Sequence, residues 1–489
     1  MSLTVAYNIA RDGLSTTSAA ASVVSRNVAN AENPNSSRKS ALIVAQAGGS
    51  VHLEQIVGAV DGALLAFVLE TASSSAELGI ISAGLDRLDT SIGDPAAETS
   101  PAALIGRLVS TLQLAASAPH DENAAAAVLS AAQSLTGALN ETARLIADVR
   151  SDAEAFLGEA AVTLSDMLQD FRAVNQAIVA GSAQHQDVTD AVDRRNALVR
   201  DIAQLVDIRP NVRAGNDMML FTANGATLFE TTPREISFRS AGLLGPGQSG
   251  GALTIDGIPV RSGDGVGGQI GGLLRIRDDL AMVFERQADE IARGLIAATV
   301  ERDQSSVPSR ADLAGLFTVV GGAIQPAAPG SMVGSAGLIT VSANADPARG
   351  GALSRLRDGG ISAPADIAYS YNPSGAPGFG GRLLELIDRL SEAQSFDPAT
   401  GIATSQKSVR QFSSDSVGWL ERERSVSRES HANEQVRVER ATGAWQNRVG
   451  TNVDDEMVIL IGLQRSFQAS SHLIATVNSM FDALLAATE

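Results

Sequence analysis

The chain has 489 residues, a formal charge of -18 and no cysteine, so disulfide frameworks, thiolate metal sites and cysteine nucleophiles are excluded. Lys39 and Lys407 are its only lysines. The net negative charge and the near absence of lysine argue against a nucleic-acid partner, since phosphate neutralisation needs a basic face.

The apolar side chains are mostly alanine, leucine and valine, with few aromatics, a composition that favours long helices packed through thin seams. The first segment repeats Leu3, Tyr7, Ala10, Leu14, Thr17, Ala21, Val24 and Val28 at alternating steps of four and three, which predicts a helical arm. Its start, "MSLTVAYNIARDGLSTTSAAAS", has no basic head and no continuous apolar run. This predicts neither a Sec-type signal nor membrane insertion. The arm ends in "NVANAENPNSSR" at 27–38, where Asn30 suits a left-handed helix end and Pro34 cannot continue the ladder.

Ser100 and Pro101 open a helix that Pro119 closes, and "DEN" at 121–123 starts a very long one. Leu135, Leu139, Ile146, Val149, Phe156 and Met167 mark its stripe, which then slips by one to Phe171, Val174 and Ile178. A further helix runs from about Asp187 to Pro210. Next the period becomes alternating, with hairpin turns at Asn224-Gly225 and Asp256-Gly257. Helix returns from about Gly272 to Val300, and residues 311–380, rich in glycine, proline and serine, read as a small β-containing insert. From Leu383, after a loop near Pro398, helix dominates to the end.

Two late segments carry distinct patterns. The alternating charges of "WLERERSVSRESHANEQVRVER" at 419–440 predict a solvent-facing helix laced with i to i+4 pairs and anchored by Trp419, with an intersubunit contact as the sharper reading. The last segment opens with "TNVDDEM", where Thr451 or Asn452 caps a helix whose stripe is Leu460, Leu463, Phe467, Ser470, Ile474, Val477, Phe481 and Leu484. Both arm stripes contain small and polar residues, so each arm alone is marginal and is expected to order on pairing or assembly.

The expected fold is mainly α with β subdomains. Residues 1–40 and 450–489 form coiled arms, 41–310 and 381–449 a helical bundle with a β subdomain, and 311–380 an inserted outer domain. Chemistry-bearing motifs are weak. "SGDGVGG" has dinucleotide-fingerprint spacing at Gly263, Gly265 and Gly268 but lacks a βαβ context, so it reads as a loop. His52, His120, His185, His431 and His472 are scattered, and no serine lies in a nucleophile elbow. No catalytic, metal or cofactor residue is assigned, and the chain is expected not to be an enzyme.

The turn and the arms resemble the flagellar axial proteins. That family closes its N-terminal arm with Asn-Ile-Ala-Asn, Thr-Pro-Gly-Tyr and often Ser-Arg; Asn27, Val28, Ala29, Asn30, Pro34, Ser37 and Arg38 match. Asn35 and Ser36 stand where the pattern has glycine and tyrosine. The C-terminal stretch "NVDDEMVILIGLQRSFQASSHLIATVNSMFDALL" is similar to the family's terminal arm. The long helix, the Asp-Arg-Arg-Asn segment at 193–196 and "GGQIGGLLRIRDDL" at 267–280 resemble its junction-forming members.

The resemblance implies a structural subunit between hook and filament that assembles through its ends into a ring of copies of itself. It also implies contacts with the flagellar hook protein and hook-associated protein 3, a flagellar export chaperone, and type III export to an extracellular site without a cleaved signal. The candidate assembly residues are Leu3, Leu14, Val24, Asn27, Asn30 and Pro34 with Leu463, Phe467, Ile474 and Phe481. Two alternatives stay open: another axial subunit of filament, hook or junction, and a secreted adhesin or enzyme with its chemistry in 311–380.

Overall fold

The computed structural model describes residues 3–46, 49–90, 99–308, 310–321, 328–403 and 406–487. It is mainly helical with small antiparallel sheets, as the change of period along the sequence predicts. Helix α1 (Leu3–Ala29) leads into a hairpin of β1 (Lys39–Ala45) and β2 (Val51–Gly58), with Lys39 opposite Gly58 and an irregularity between Leu42 and Ile43. This hairpin was not anticipated. "KSALIVA" carries apolar residues at consecutive positions, so the alternation that marks a half-buried strand is missing.

Helices α2 (Gly62–Asp89), α3 (Pro101–Ser117), α4 (Glu122–Ala183) and α5 (Thr189–Leu205) follow. Asp61 Oδ1 accepts from Leu64 N, Ser100 Oγ from Ala103 N and Asp121 Oδ1 from Asn123 N, so a side chain satisfies an orphan donor at the start of each of the first three. With 62 residues α4 is roughly 93 Å long at 1.5 Å per residue. Its buried stripe differs from the sequence reading. The expected slip after Met167 falls earlier, between Val149 and Leu157: Ala153 and Leu157 are buried, and Phe156 is 51% exposed. Two successive steps of four rotate the stripe by one position there, and Leu164, Leu168, Phe171, Asn175 and Ile178 continue it.

By length and hydropathy α2 would pass as a membrane-crossing helix. Here it carries Glu70, Glu77 and Asp86 and packs against α5 and against the helices Gly268–Arg275 and Val409–Val449.

Two three-stranded antiparallel sheets lie along α4. One holds β3 (Ile208–Val212), β4 (Met218–Thr222) and β5 (Thr227–Phe229); the other holds β6 (Ile236–Arg239), β7 (Ala252–Ile255) and β8 (Ile258–Val260). Asp256 and Gly257 both take positive φ between β7 and β8, the conformation that an Asp-Gly hairpin turn supplies. Helix α6 (Gly268–Arg275) then runs through a π-helical turn, Ile276–Leu280, into α7 (Ala281–Ala298). Gly268 and Gly272 explain why the glycine-rich approach is a packing device. A Cβ at Gly268 would lie 2.6 Å from the Leu205 carbonyl, and one at Gly272 would lie 2.7 Å from Glu77 O, so only glycine lets these backbones approach.

Within 311–380, β9 (Phe317–Val319) and β10 (Ile339–Val341) pair; the four-residue helix α8 (Ser335–Leu338) leads directly into β10, and irregular turns and the four-residue helix α9 (Arg355–Asp358) follow it. Leu316, Phe317, Ile339, Val341 and Leu356 enter the same buried cluster as α4 and α7. Helices α10 (Gly381–Ser391), α11 (Val409–Val449) and α12 (Val453–Ala486) complete the chain. The charged stretch of α11 differs from a helix paired only with itself. Arg424 reaches Asp86 and Asp89 of α2 at 2.8 and 2.7 Å, Arg428 reaches Asp86, and the intrahelical partners Glu421 and Glu434 lie three residues from their arginines. Trp419 is buried as expected.

Candidate assembly site at the base of the arms

Helices α1 and α12 lie side by side and antiparallel. Asn27 Nδ2 donates to Glu456 Oε2 at 3.1 Å, and at the same distance along both helices Gly13 faces Ser470, where an added Cβ would lie 3.4 Å from Oγ. The other side of α1 covers the β1–β2 hairpin, with Thr16 Oγ1 donating to Val51 O. Helix α1 is therefore packed on two sides, and its buried residues are Ala10, Thr16, Ala20, Val23, Val24 and Asn27, not the single stripe of the heptad reading. Thr17 and Ala21 of that reading are half-buried because the second partner takes the neighbouring positions.

The turn after α1 is a clasp joining the arms to α5. Asn27 and the Lys39 backbone exchange two hydrogen bonds, at 2.8 and 2.9 Å, like a pair in a sheet. Arg38 Nε donates to Glu456 Oε1 at 2.7 Å, and Arg38 N donates to Val449 O. Asp193 of α5 accepts from Ser37 N, Ser37 Oγ and Lys39 Nζ at 3.1, 2.6 and 2.9 Å. Asp190 adds a second bond to Lys39 Nζ at 3.0 Å, and Arg26 pairs with Asp187.

Lys39 is only 4% exposed. Burial by itself lowers the pKa of its ammonium, but hydrogen bonds and charge from Asp193 and Asp190 outweigh this and hold it above its usual value. Asp187 is held low: its hydrogen bonds to Thr189 and Arg26 outweigh the burial that raises it. Charged partners tie three pieces, the end of α1, the start of α12 and the face of α5, in a small volume.

The candidate residues fall into two sets. Asn27 and Val24 are buried within the chain, and Asn30 and Pro34 are exposed at the turn. Asn30 ends the helix by bonding its amide back to Arg26 O and its N–H to the same carbonyl. Leu3, Leu14, Leu463 and Ile474 are half-buried, while Phe467 is 45% exposed and Phe481 is exposed as well. Of α12 only Glu456 and Val477 are buried, so Val458, Ile461, Leu473, Leu484 and Leu485 lie open to solvent beside the two phenylalanines. So many exposed apolar side chains, spread along and around one helix, mark an interaction surface.

A family model described as the flagellar hook-associated protein FlgK helical domain matches residues 85–311. Another, described as the C-terminal region of flagellar basal body rod FlgEFG proteins, matches residues 446–487, which include α12. The middle of the chain is thus similar to the helical domain of FlgK hook-associated proteins, and its end to the C-terminal region of flagellar rod proteins. The flagellar hook junction protein FlgK from Burkholderia pseudomallei has a similar fold, at a TM-score of 0.59 and 14% identity, over 79% of this chain and 100% of that one. No curated protein sequence matches the chain.

The turn was legible in the sequence, but Lys39, Asp193 and Glu456 as its fasteners were not. Two signals were present. Lys39 is one of two lysines in an arginine-rich chain, and Asp193 opens the Asp-Arg-Arg-Asn segment already noted. Glu456 carried no signal of its own, since a first-turn acid is sufficiently explained by the helix dipole.

Proposed function

We propose that this chain is a structural subunit of the junction between flagellar hook and filament, and that it assembles by packing the open face of α12 against the arms of neighbouring copies. The exposed apolar side chains of α12, from Val458 to Leu485, carry this reading. The matches of residues 85–311 to the FlgK helical domain and of 446–487 to the rod-protein C-terminal region support the position in the flagellum. In the assembled ring α1, α12 and the residues around them, 1–40 and 450–489, form the inner layer. Residues 41–310 and 381–449 form the wall, and 311–380 face outward.

Within that layer Leu3, Leu14, Leu463, Phe467, Ile474 and Phe481 make the contacts between copies. Val24, Asn27, Asn30 and Pro34 set the angle at which the arm leaves the wall. The flagellar hook protein on one side and hook-associated protein 3 on the other are its neighbours. A flagellar export chaperone shields α12 in the cytoplasm, where so apolar a face would otherwise self-associate, before type III export without cleavage of a signal. The work is mechanical, with no catalytic step.

The test is to label the protein on intact flagella, count its copies by quantitative mass spectrometry, and repeat with Phe467→Ala and Ile474→Asp. One focus at the hook boundary with few copies, lost in both variants while their circular dichroism stays native, is the expected result. Label along the filament makes it a filament subunit, and normal junctions in both variants sink the role of α12.

A further inference from the structure

Beside the clasp a cleft of about 420 Å³ opens between β2, α5, the end of α4 and β3. Its rim is apolar and open to solvent: Val60 is 65% exposed and Val212 is 55% exposed, with Val57 beside them. Its lining includes a charge. Arg195 of α5, 3% exposed, donates from Nη1 to Asn175 Oδ1 at 2.9 Å and to Asn216 O. Its Nε is buried with no hydrogen-bond partner among the described residues.

Burial lowers the pKa of Arg195 to about 10, partly offset by the charge of Asp217. That carboxylate is itself engaged by Arg213 and by Asn175, at 2.8 Å each. A buried guanidinium with an unmet donor at the wall of an apolar-rimmed cleft is an incomplete site, because an unpaired buried donor forfeits its hydration without replacement. The group that completes it is a carboxylate, which matches the planar edge of arginine.

The cleft shares strand β2 with the hairpin that backs α1, and the exposed Leu42 and Ile43 of that hairpin carry the same apolar character beyond the rim. A small dissolved carboxylate would satisfy Arg195 but leave the valines in water. A chain of net charge -18 supplies carboxylates on its own surface. We infer that the cleft receives a carboxylate side chain from a neighbouring copy of this chain, whose apolar flanks cover Val57, Val60 and Val212 while its oxygens accept from Arg195. The inference rests on the ring-forming reading and adds to it a second contact, between walls rather than arms.

Because the chain has no cysteine, Val212→Cys can be labelled with a benzophenone maleimide and photolysed in assembled flagella. The expected product is a dimer of this chain whose adduct maps to a peptide bearing Asp or Glu, at least tenfold weaker when Arg195→Gln is added. Arg195→Gln also removes internal bonds, so a second variant is needed: Val60→Asp, at an exposed position, is expected to reduce incorporation at the junction at least tenfold in a folded monomer. Adducts only with another protein, only within one copy, or absent, together with normal incorporation of Val60→Asp, overturn the inference while leaving the junction reading intact. Failure of the unmodified chain to enter flagella overturns both.

Discussion

Replacing Lys39 with methionine removes the cation that Asp193 and Asp190 share and leaves the stem of the side chain in place. Asp190 is 72% exposed at its side chain and rehydrates readily, whereas Asp193 is 11% exposed and does not. Breaking a buried ion pair by deleting one partner costs about 3–5 kcal/mol, and because Asp193 keeps its two bonds from Ser37 the low end applies, about 3 kcal/mol. The loss should be local, since the clasp joins the arm to α5 while α4 has its own buried stripe.

Hydrogen exchange of the monomer tests this. About 3 kcal/mol corresponds to roughly a hundredfold loss of protection, at about 1.4 kcal/mol per factor of ten, confined to α1 and the β1–β2 hairpin. Lys39→Arg should recover much of it by keeping the charge. Unchanged protection in α1, or an equal loss throughout α4, would refute the clasp as the joint between arm and wall. With the Lys39 pKa raised in the fold, its contribution is fully present below the usual lysine value of 10.5 and fades as pH rises through the higher folded value, so alkaline titration should loosen α1 before α4.

Three further outcomes follow from the packing. Leu157→Ala should cost about 2–5 kcal/mol in urea unfolding and Phe156→Ala less than about 0.5 kcal/mol; the reverse order would restore the heptad register of the sequence. Gly272→Ala should destabilise by forcing its Cβ against Glu77 O, while Gly137→Ala, with open space around it, should stabilise by roughly 0.5–1 kcal/mol; equal effects would remove the argument from close approach. Asp289 of α7 accepts from Gly334 N and Ala336 N at 2.8 Å each, and burial, with the charges of Glu285 and Glu290 adding to it, pushes its pKa up to about 7 despite those bonds. The fold then holds a proton that the unfolded chain releases above 3.8, so this group's contribution falls as pH rises toward 7. Asp289→Asn should flatten that part of the profile in unfolding measured from about pH 5 to 8, and an unchanged slope would count against the assignment.

The helices were legible where period and caps agreed. Ser100, Asp121 and Asn452 act as caps, and the stripe of α4 from Leu135 to Val149 is buried as its spacing predicts. The hairpin turn at Asp256-Gly257 was legible because few residues other than glycine, asparagine and aspartate enter the left-handed region cheaply. The β1–β2 hairpin was not, because its strands carry apolar residues on both faces, Leu42 and Ile43 among them. Missing that hairpin also misplaced the buried face of α1, since a helix with two partners buries the union of two stripes.

Long helices with two matched arms, a first arm that ends at the asparagines before Pro34, and the exclusion of thiol chemistry were all written in the order of residues. These are properties of local spacing and residue type, and they hold whatever the chain packs against. Packing alone brings Lys39 to Asp193 and Asn27 and Arg38 to Glu456, leaves Arg195 with an unmet donor beside a cleft, and leaves most of α12 open. Each depends on groups more than a hundred residues apart meeting within about 3 Å, or on the absence of such a meeting, and hydrogen bonds of that reach leave no period in a sequence.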